Sequence, residues 1–235
     1  MYLGKKIIAV IPARGGSKGI KNKNMSKIGG ISLIGHTSIF LNKLNFIDKK
    51  IISTDKQSYI NEAKRYGIND SIKRSRKLSD DKASVINVLL HVVKNIEDSK
   101  NLFYDYLLLL EPTCPLRKEK EIKDSLKLAI TKQADSVISV SKLDIKYHPF
   151  KIFNLKNNKI KYYSKIGNKI FNKQQIKNEL YFRNGLIYVI SIPSLKKNKK
   201  IITNNTIPFV VDRNISNIDT KNELLWTEFL YQNEN

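Results

Sequence analysis

Cysteine, tryptophan and methionine are nearly missing from this chain of 235 residues, at one, one and two copies, and proline is held to six. A lone Cys114 excludes an intrachain disulfide and suits a reducing compartment. Only three histidines occur, His36, His91 and His148, and they are too dispersed for zinc-ligand spacing. Long apolar runs are also missing. The stretch Leu107–Leu110 is typical, far short of the roughly 20 residues of a membrane span. Met1–Lys6 carries no leader pattern, since Lys5 and Lys6 open directly onto a short apolar strand. The expectation is a cytoplasmic protein with no membrane partner. Acidic residues are the last shortage: 21 Asp and Glu face 43 Lys and Arg, a net charge of +22.

That charge leaves two readings open. An anionic partner is one, whether nucleic acid, an acidic surface or a phosphorylated or carboxylated small molecule. The other is an AT-biased coding sequence rich in Lys, Asn and Ile, which loads the surface with lysines that have no task. No RNP-like aromatic motif, zinc finger or basic heptad region accompanies the charge, so nucleic acid is not the expected partner. A hydrophobic fraction of 41% with 9% aromatics fits a globular fold, one domain with a modest insertion.

Strand-length apolar runs alternate with helix-period segments through the first half. Strands are expected at Lys6–Ala13, Lys50–Thr54, Ser71–Arg74, Tyr104–Leu110 and Ser136–Val140. Helices are expected at Leu33–Lys43, Gln57–Tyr66, Ala83–Ile96 and Lys118–Thr131. In the third helix Ile86, Leu89, Leu90 and Val93 are expected to face inward. Such alternation implies crossover connections and a mainly parallel sheet covered on both faces. From about Ser141 the pattern changes to short Tyr/Ile/Lys segments, with "NNK" at 157–159 and "GNK" at 167–169 as turn signals. Two small hairpins or a loose β-rich insertion are expected there. A strand at Gly185–Ile190, a short one at Phe209–Val211 and a helix Thr220–Tyr231 capped by Thr220 close the chain.

Ligands of open α/β sheets bind outside the carboxyl ends of the strands, and the informative residues fall at those ends. The first strand delivers Arg14-Gly15-Gly16-Ser17-Lys18-Gly19. Its glycines let successive N–H groups approach an anion, and its cations neutralise one. This is neither a Walker A loop nor GxGxxG. On its own it reads as a phosphate cradle or as a solvated turn.

The longer text decides between them. "IPARGGSKGIKNKN" resembles the opening signature of the acylneuraminate cytidylyltransferases, and "IGGISLIGHTSI", "IISTDKQSYINEAKRYG", "EPTCPLRKEKEI", "ADSVISVSKLDIKYHPFK", "RNGLIYV" and "NIDTKNEL" follow in that family's order. The resemblance covers almost the whole chain. It implies a Rossmann-like α/β nucleotidyltransferase of the nucleotide-diphospho-sugar transferase type, with a small β-rich dimerisation insertion. The nucleotide-binding domain would be 1–140 and 206–235, and 141–205 would dimerise and meet the sugar acid. The implied reaction is attack of a sugar acid's anomeric hydroxyl on the α-phosphate of CTP, with pyrophosphate leaving and Mg²⁺ (or Mn²⁺) assisting.

What the resemblance implies for residues is specific. Arg14, Lys18 and Lys23 would be catalytic, with Arg14, Gly16, Ser17, Lys18 and Asn24 around the nucleotide. Arg74 and Ser84 would complete that site, although the register of "IKRSRKLSDDKAS" lets Arg76 compete with Arg74. Glu111, Thr113, Lys151, Lys173 and Asn184 would face the sugar substrate, Lys151 and Lys173 from the partner chain of a homodimer. Asp219 and Asn217 would hold the metal.

Three departures stand out. "EPTCPLR" has Glu111 and Cys114 where the family usually has Gln and Ser, and a carboxylate beside an anionic substrate needs a cation or metal partner. Cys114 has no recognisable base and reads as packing. "NIDT" has Asn217 where the family's Asp-x-Asp has its first carboxylate. An amide oxygen can ligate Mg²⁺ but brings no charge, leaving Asp212 or Asp55 as possible helpers. The expected function is therefore a cytidylyltransferase for a nonulosonic acid such as sialic, legionaminic or pseudaminic acid. The alternatives are a homologue that binds nucleotide or sugar with impaired chemistry, and a basic nucleic-acid-binding protein recognisable by steep salt dependence.

Overall fold

The computed structural model describes all residues except 18, 101, 170, 171, 173, 175, 177, 234 and 235, and omits the side chains at 99 and 100. In chain order the first half contains β1 (Ile7–Ala13), β2 (Lys27–Ile28), β3 (Ile31–Ser32), α1 (Leu33–Lys43), β4 (Lys49–Thr54), α2 (Gln57–Arg65), β5 (Asp70–Lys73) and α3 (Val85–Lys100). After these come β6 (Tyr106–Leu109), α4 (Glu119–Thr131), β7 (Ser136–Lys142), β8 (Phe153–Lys156), β9 (Lys159–Tyr162), β10 (Tyr181–Ser191), α5 (Ile192–Asn198), β11 (Thr206–Val210) and α6 (Lys221–Asn233).

Strand β1 is apolar and buried along nearly its whole length, as a strand covered on both faces must be. It runs parallel to β4 and β6, with Val10 opposite Ile51 on one side and Leu109 on the other. Strand β5 continues parallel to β4. Beyond β6 the order is β10, β7 and β11, and β10 is antiparallel to β6, placing Val189 opposite Leu108. The sheet is thus mixed, mostly parallel, and flanked by helices. Its core of Ile7, Ile8, Val10, Ile52, Leu107, Leu108 and Leu186 is almost fully hidden. Each such side chain contributes roughly 1.5–3 kcal/mol on burial.

The chain forms two compact units. The first comprises Met1–Ser139, Asn184–Phe209 and Arg213–Asn235, and the second Val140–Arg183 with Val210–Asp212. Of the stretch 141–205, residues 184–205 lie in the first unit, where β10 enters the sheet and α5 follows it. Among the described residues of the second unit there is one hairpin, β8–β9. Asn157 and Asn158 turn it with φ of 49° and 57°, the left-handed pair that a two-residue hairpin loop requires. The second turn signal, Gly167–Lys169, forms a short 3-10 turn instead of a hairpin.

One helix face differs from expectation. In α3 the buried stripe is Val88, Leu89, Val92, Val93 and Ile96, while Ile86 and Leu90 are only half buried. In α6 the inward positions are Leu224, Thr227, Leu230 and Tyr231, so Leu225, one residue round from Leu224, is 69% exposed. Helix α5 carries no periodic signal. It starts on Ser191, whose Oγ accepts from Ser194 N, and has a proline in its first turn.

Candidate active site

Strands β1, β4, β5 and β6 end at the same edge of the sheet; Arg14, Asp55 and Arg74 directly follow the first three, and Glu111 follows the fourth after the buried Leu110. A cleft of about 500 Å³ opens there, lined by Arg14, Ser17, Lys23, Asn24, Glu111, Thr113, Asn217 and Asp219 among others. An adjoining groove shares Pro12, Arg14 and Glu111 with this cleft and adds Arg74, Asp80 and Asp81. Gly15, Gly16, Lys56 and Arg76 line its continuation, again with Arg74.

Residues far apart in sequence reach this cleft for identifiable reasons. Ile20 and Ile218 both pack on the Ile28–Leu33 cluster, which draws the glycine loop and the 217–219 segment together. Gly19 then lies so close that a β-carbon there would sit 2.2 Å from the Asp219 carbonyl oxygen. Ile218 N donates to Thr113 O at 2.9 Å, joining the same segment to the loop after β6. Two arginines that the sequence did not mark out hold that loop. Arg117 is buried and donates from Nη2 to Glu111 O at 2.6 Å and from Nε to Leu186 O at 2.8 Å. Arg213 grips the Glu121 carboxylate with two bonds, at 2.7 and 3.0 Å, and donates to Leu116 O. Thr220 and Glu223 cap α6 reciprocally, the Glu223 carboxylate also taking Asp219 N at 2.8 Å.

The charges are arranged in pairs. Lys23 Nζ meets Asp219 Oδ1 at 2.6 Å, and Arg14 Nη1 meets Asp81 Oδ1 at 2.6 Å. Gly15 N donates to Asp55 at 2.8 Å. Partly exposed pairs of this kind contribute on the order of 1 kcal/mol or less, so an incoming anion or cation can take either partner over. Arg74 is different. It is only 7% exposed, and its Nε and Nη2 have no hydrogen-bond partner among the described residues. Burial lowers its pKa to about 10, opposed by Asp55 and reinforced by Arg14. It therefore remains a cation at neutral pH, lining the groove while its Nε and Nη2 stay buried without a partner among the described residues. Arg76, the competing register, is exposed on the short 3-10 turn Arg76–Leu78.

Asn24 is buried and donates to Arg14 O at 3.1 Å, fixing the loop backbone as well as lining the cleft. Ser84 accepts from Ile86 N at 3.2 Å at the start of α3. Asn184 is buried, and its Oδ1 accepts from Ser139 Oγ at 2.5 Å and Leu186 N at 3.1 Å. The next residue, Gly185, has φ +81°, and a side chain there would meet Asn217 Nδ2 at 2.7 Å. Lys151 ends a short 3-10 turn in the second unit, where His148 Nδ1 accepts from Phe150 N as a loop-fixing contact. Lys18 and Lys173 lie outside the described residues. Lys56, whose side chain lies across Gly15, joins the groove without any signal in the sequence beyond its place after β4.

Cys114 is fully buried, its Sγ 3.6 Å from Asn184 O, and burial pushes the thiol up to about 12. It stays protonated and inert at neutral pH. Cys114→Ser is expected to leave kcat/KM within about twofold, since a hydroxyl can donate to the same carbonyl. Iodoacetamide should fail to label the native protein, and rapid labelling or a large loss of rate in the serine variant would contradict this.

No three His, Cys, Asp or Glu residues among those described come together as a metal cage. Mg²⁺ bound chiefly through a polyphosphate needs only one or two carboxylates from the protein, and Asp219 beside Asn217 on the cleft wall fits that demand. The cleft can thus accept a polyphosphate on Arg14, Lys23 and the glycine loop, with a divalent cation on the adjoining Asn217–Asp219 segment.

A family model described as Cytidylyltransferase matches residues 8–193. The chain belongs to this family. A CMP-N,N'-diacetyllegionaminic acid synthase of Legionella pneumophila is 28% identical to this cytidylyltransferase over 94% of the chain and 93% of that relative. An N-acylneuraminate cytidylyltransferase of Streptococcus agalactiae is 29% identical over 94% of the chain, which spans 52% of that longer protein. The fold is shared with a CMP:2-keto-3-deoxy-manno-octonic acid synthetase solved with CTP, at a TM-score of 0.73 and 16% identity, covering 98% of this chain and all of that one.

Proposed function

We propose that this cytidylyltransferase couples CTP to a nonulosonic acid, giving the CMP-sugar and pyrophosphate. One observation carries the reading. The glycine loop, the Glu111–Thr113 strand end and the Asn217–Asp219 segment, widely separated in sequence, line a single cleft in a chain matched over 94% of its length by a CMP-nonulosonic acid synthase. The anomeric hydroxyl attacks the α-phosphorus, the α–β bridging bond breaks, and the hydroxyl proton passes to solvent or a phosphate oxygen. Such a displacement depends on positioning and charge more than on covalent help. Arg14, Ser17, Lys18 and Lys23 would orient the triphosphate, and Arg74 would supply a desolvated cation beside it. Mg²⁺ on Asp219 and Asn217 would offset charge on the leaving pyrophosphate. Thr113 would face the sugar.

A homodimer and a cytoplasmic location belong to the same proposal. The hairpin β8–β9 is exposed on both strands and presents Phe153, Leu155, Ile160 and Tyr162. A two-stranded hairpin is marginal in water by itself, and an apolar face of this kind is the kind that pairing covers. Lys151 and Lys173 would then meet the sugar carboxylate in the partner's site. Among the described residues no helix is long and apolar enough to cross a membrane.

The test is pyrophosphate release from CTP and Mg²⁺ with sialic, legionaminic, pseudaminic and ketodeoxynonulosonic acids in parallel, on protein whose mass is measured by sedimentation. Turnover with one of these acids by a two-chain species is expected. CTP binding without release for any acid would favour the impaired homologue that Asn217 makes conceivable.

A further inference from the structure

The carboxylate that the Asn217 position lacks is not restored by Asp55, which accepts the Gly15 amide and lines the groove on the Lys56 side. Asp81 holds Arg14. Glu111, by contrast, lines the same cleft as Asn217 and Asp219. The hydrogen bond from Ile218 N to Thr113 O fixes the two segments that carry these three residues side by side. Arg117 fixes the Glu111 backbone through its carbonyl.

A second observation points to a ligand beside Glu111. The buried Arg74 guanidinium, with Nε and Nη2 unpartnered, lines the adjoining groove together with Glu111, Pro12 and Arg14. Asp80 and Asp81 line that groove too, Asp81 paired with Arg14, so a phosphate drawn to Arg74 would meet carboxylates as well as cations, and a divalent cation between the phosphate and Glu111 would offset their repulsion. Asn217 meanwhile stands against Gly185, where it can offer an amide oxygen but no charge.

We propose that Glu111 supplies the second metal-binding carboxylate, so that a divalent cation on the phosphates of CTP is held by Glu111 and Asp219 with Asn217 as a neutral neighbour. The inference rests on the cytidylyltransferase reading of the cleft and moves Glu111 from sugar contact to metal ligand.

The experiment measures Mn²⁺ binding to the full-length protein with CTP and no sugar acid, from the free-Mn²⁺ EPR signal, so that no turnover is required. Glu111→Gln is expected to weaken Mn²⁺ by about tenfold or more, and Asn217→Asp to tighten it, as removal or addition of one ligand charge should. The double variant should return to within about threefold of the parent, because one carboxylate replaces the other. Circular dichroism melts confirm that each variant folds. An unchanged Mn²⁺ affinity in Glu111→Gln, or no recovery in the double variant, overturns the proposal. Either result leaves the substrate panel untouched, so a wrong metal assignment and a wrong reaction are told apart.

Discussion

Arg74→Met is expected to yield a protein that melts higher and binds CTP far more weakly. In the native fold the guanidinium is 7% exposed, and two of its donors lack partners. Burial lowers its pKa to about 10, so the folded state holds this proton less tightly than the unfolded chain does. The charged form therefore opposes folding at every pH below about 10, and the penalty disappears only above that. Replacing a buried charge with an apolar chain of similar length often stabilises by about 1–4 kcal/mol. The penalty makes sense if the donors are kept for a phosphate, because binding energy then recovers what desolvation cost the empty site. Removing one such charge-assisted contact should lower kcat/KM for CTP by roughly a hundredfold or more. The pairing of outcomes is diagnostic: Tm of the free protein rises while the shift produced by CTP shrinks. Arg74→Lys should keep part of the CTP shift, since it retains charge without the planar fork. A lower Tm with an unchanged CTP shift would mean that Arg74 is a structural cation.

Much of this arrangement was legible before any coordinates. The apolar run Ile7–Ala13 is long, uninterrupted and followed by glycines, which specifies a buried strand and the loop after it. The order of strand-end motifs identified the residues that line the cleft, because parallel strands deliver their carboxyl ends to one edge. What stayed hidden depends on tertiary neighbours. Arg117 and Arg213 are two basic residues among 43, and nothing local shows that they bind carbonyls behind the strand-end loop. Arg74 and Arg76 differ by one turn of extended chain, and only the end of β5 at Lys73 decides which is buried. Asn24 and Asn184 read as polar ligands, yet each makes hydrogen bonds to its own protein, to Arg14 O in one case and to Ser139 and Leu186 N in the other. Glu111 and Asn217 look like two unrelated losses in sequence. Brought into one cleft they read as a single exchange.

Asp219→Asn should produce the largest loss of turnover, on the order of a thousandfold in kcat, as expected when a group that anchors transition-state charge is neutralised. The fold should tolerate the change. The Asp219 amide is held by Glu223 Oε2, its carbonyl lies against Gly19, and neither contact involves its side chain. The side chain is 69% exposed, and its one described ion pair, with Lys23, is of the kind that contributes little to stability. Tm should therefore move by only a few degrees. The informative quantity is the Mg²⁺ concentration at half-maximal rate. If Asp219 serves only to orient Lys23, Lys23→Ala and Asp219→Asn should lose similar rate, and both should leave the Mg²⁺ titration where it was. If it holds the metal, Asp219→Asn alone moves that titration upward by about tenfold or more, while Lys23→Ala chiefly raises KM for CTP. If one cation is shared between the two carboxylates, Glu111→Gln should shift the titration in the same direction as Asp219→Asn. A Mg²⁺ midpoint that is unchanged in Asp219→Asn would remove the 217–219 segment from metal binding and leave it the task of positioning Lys23.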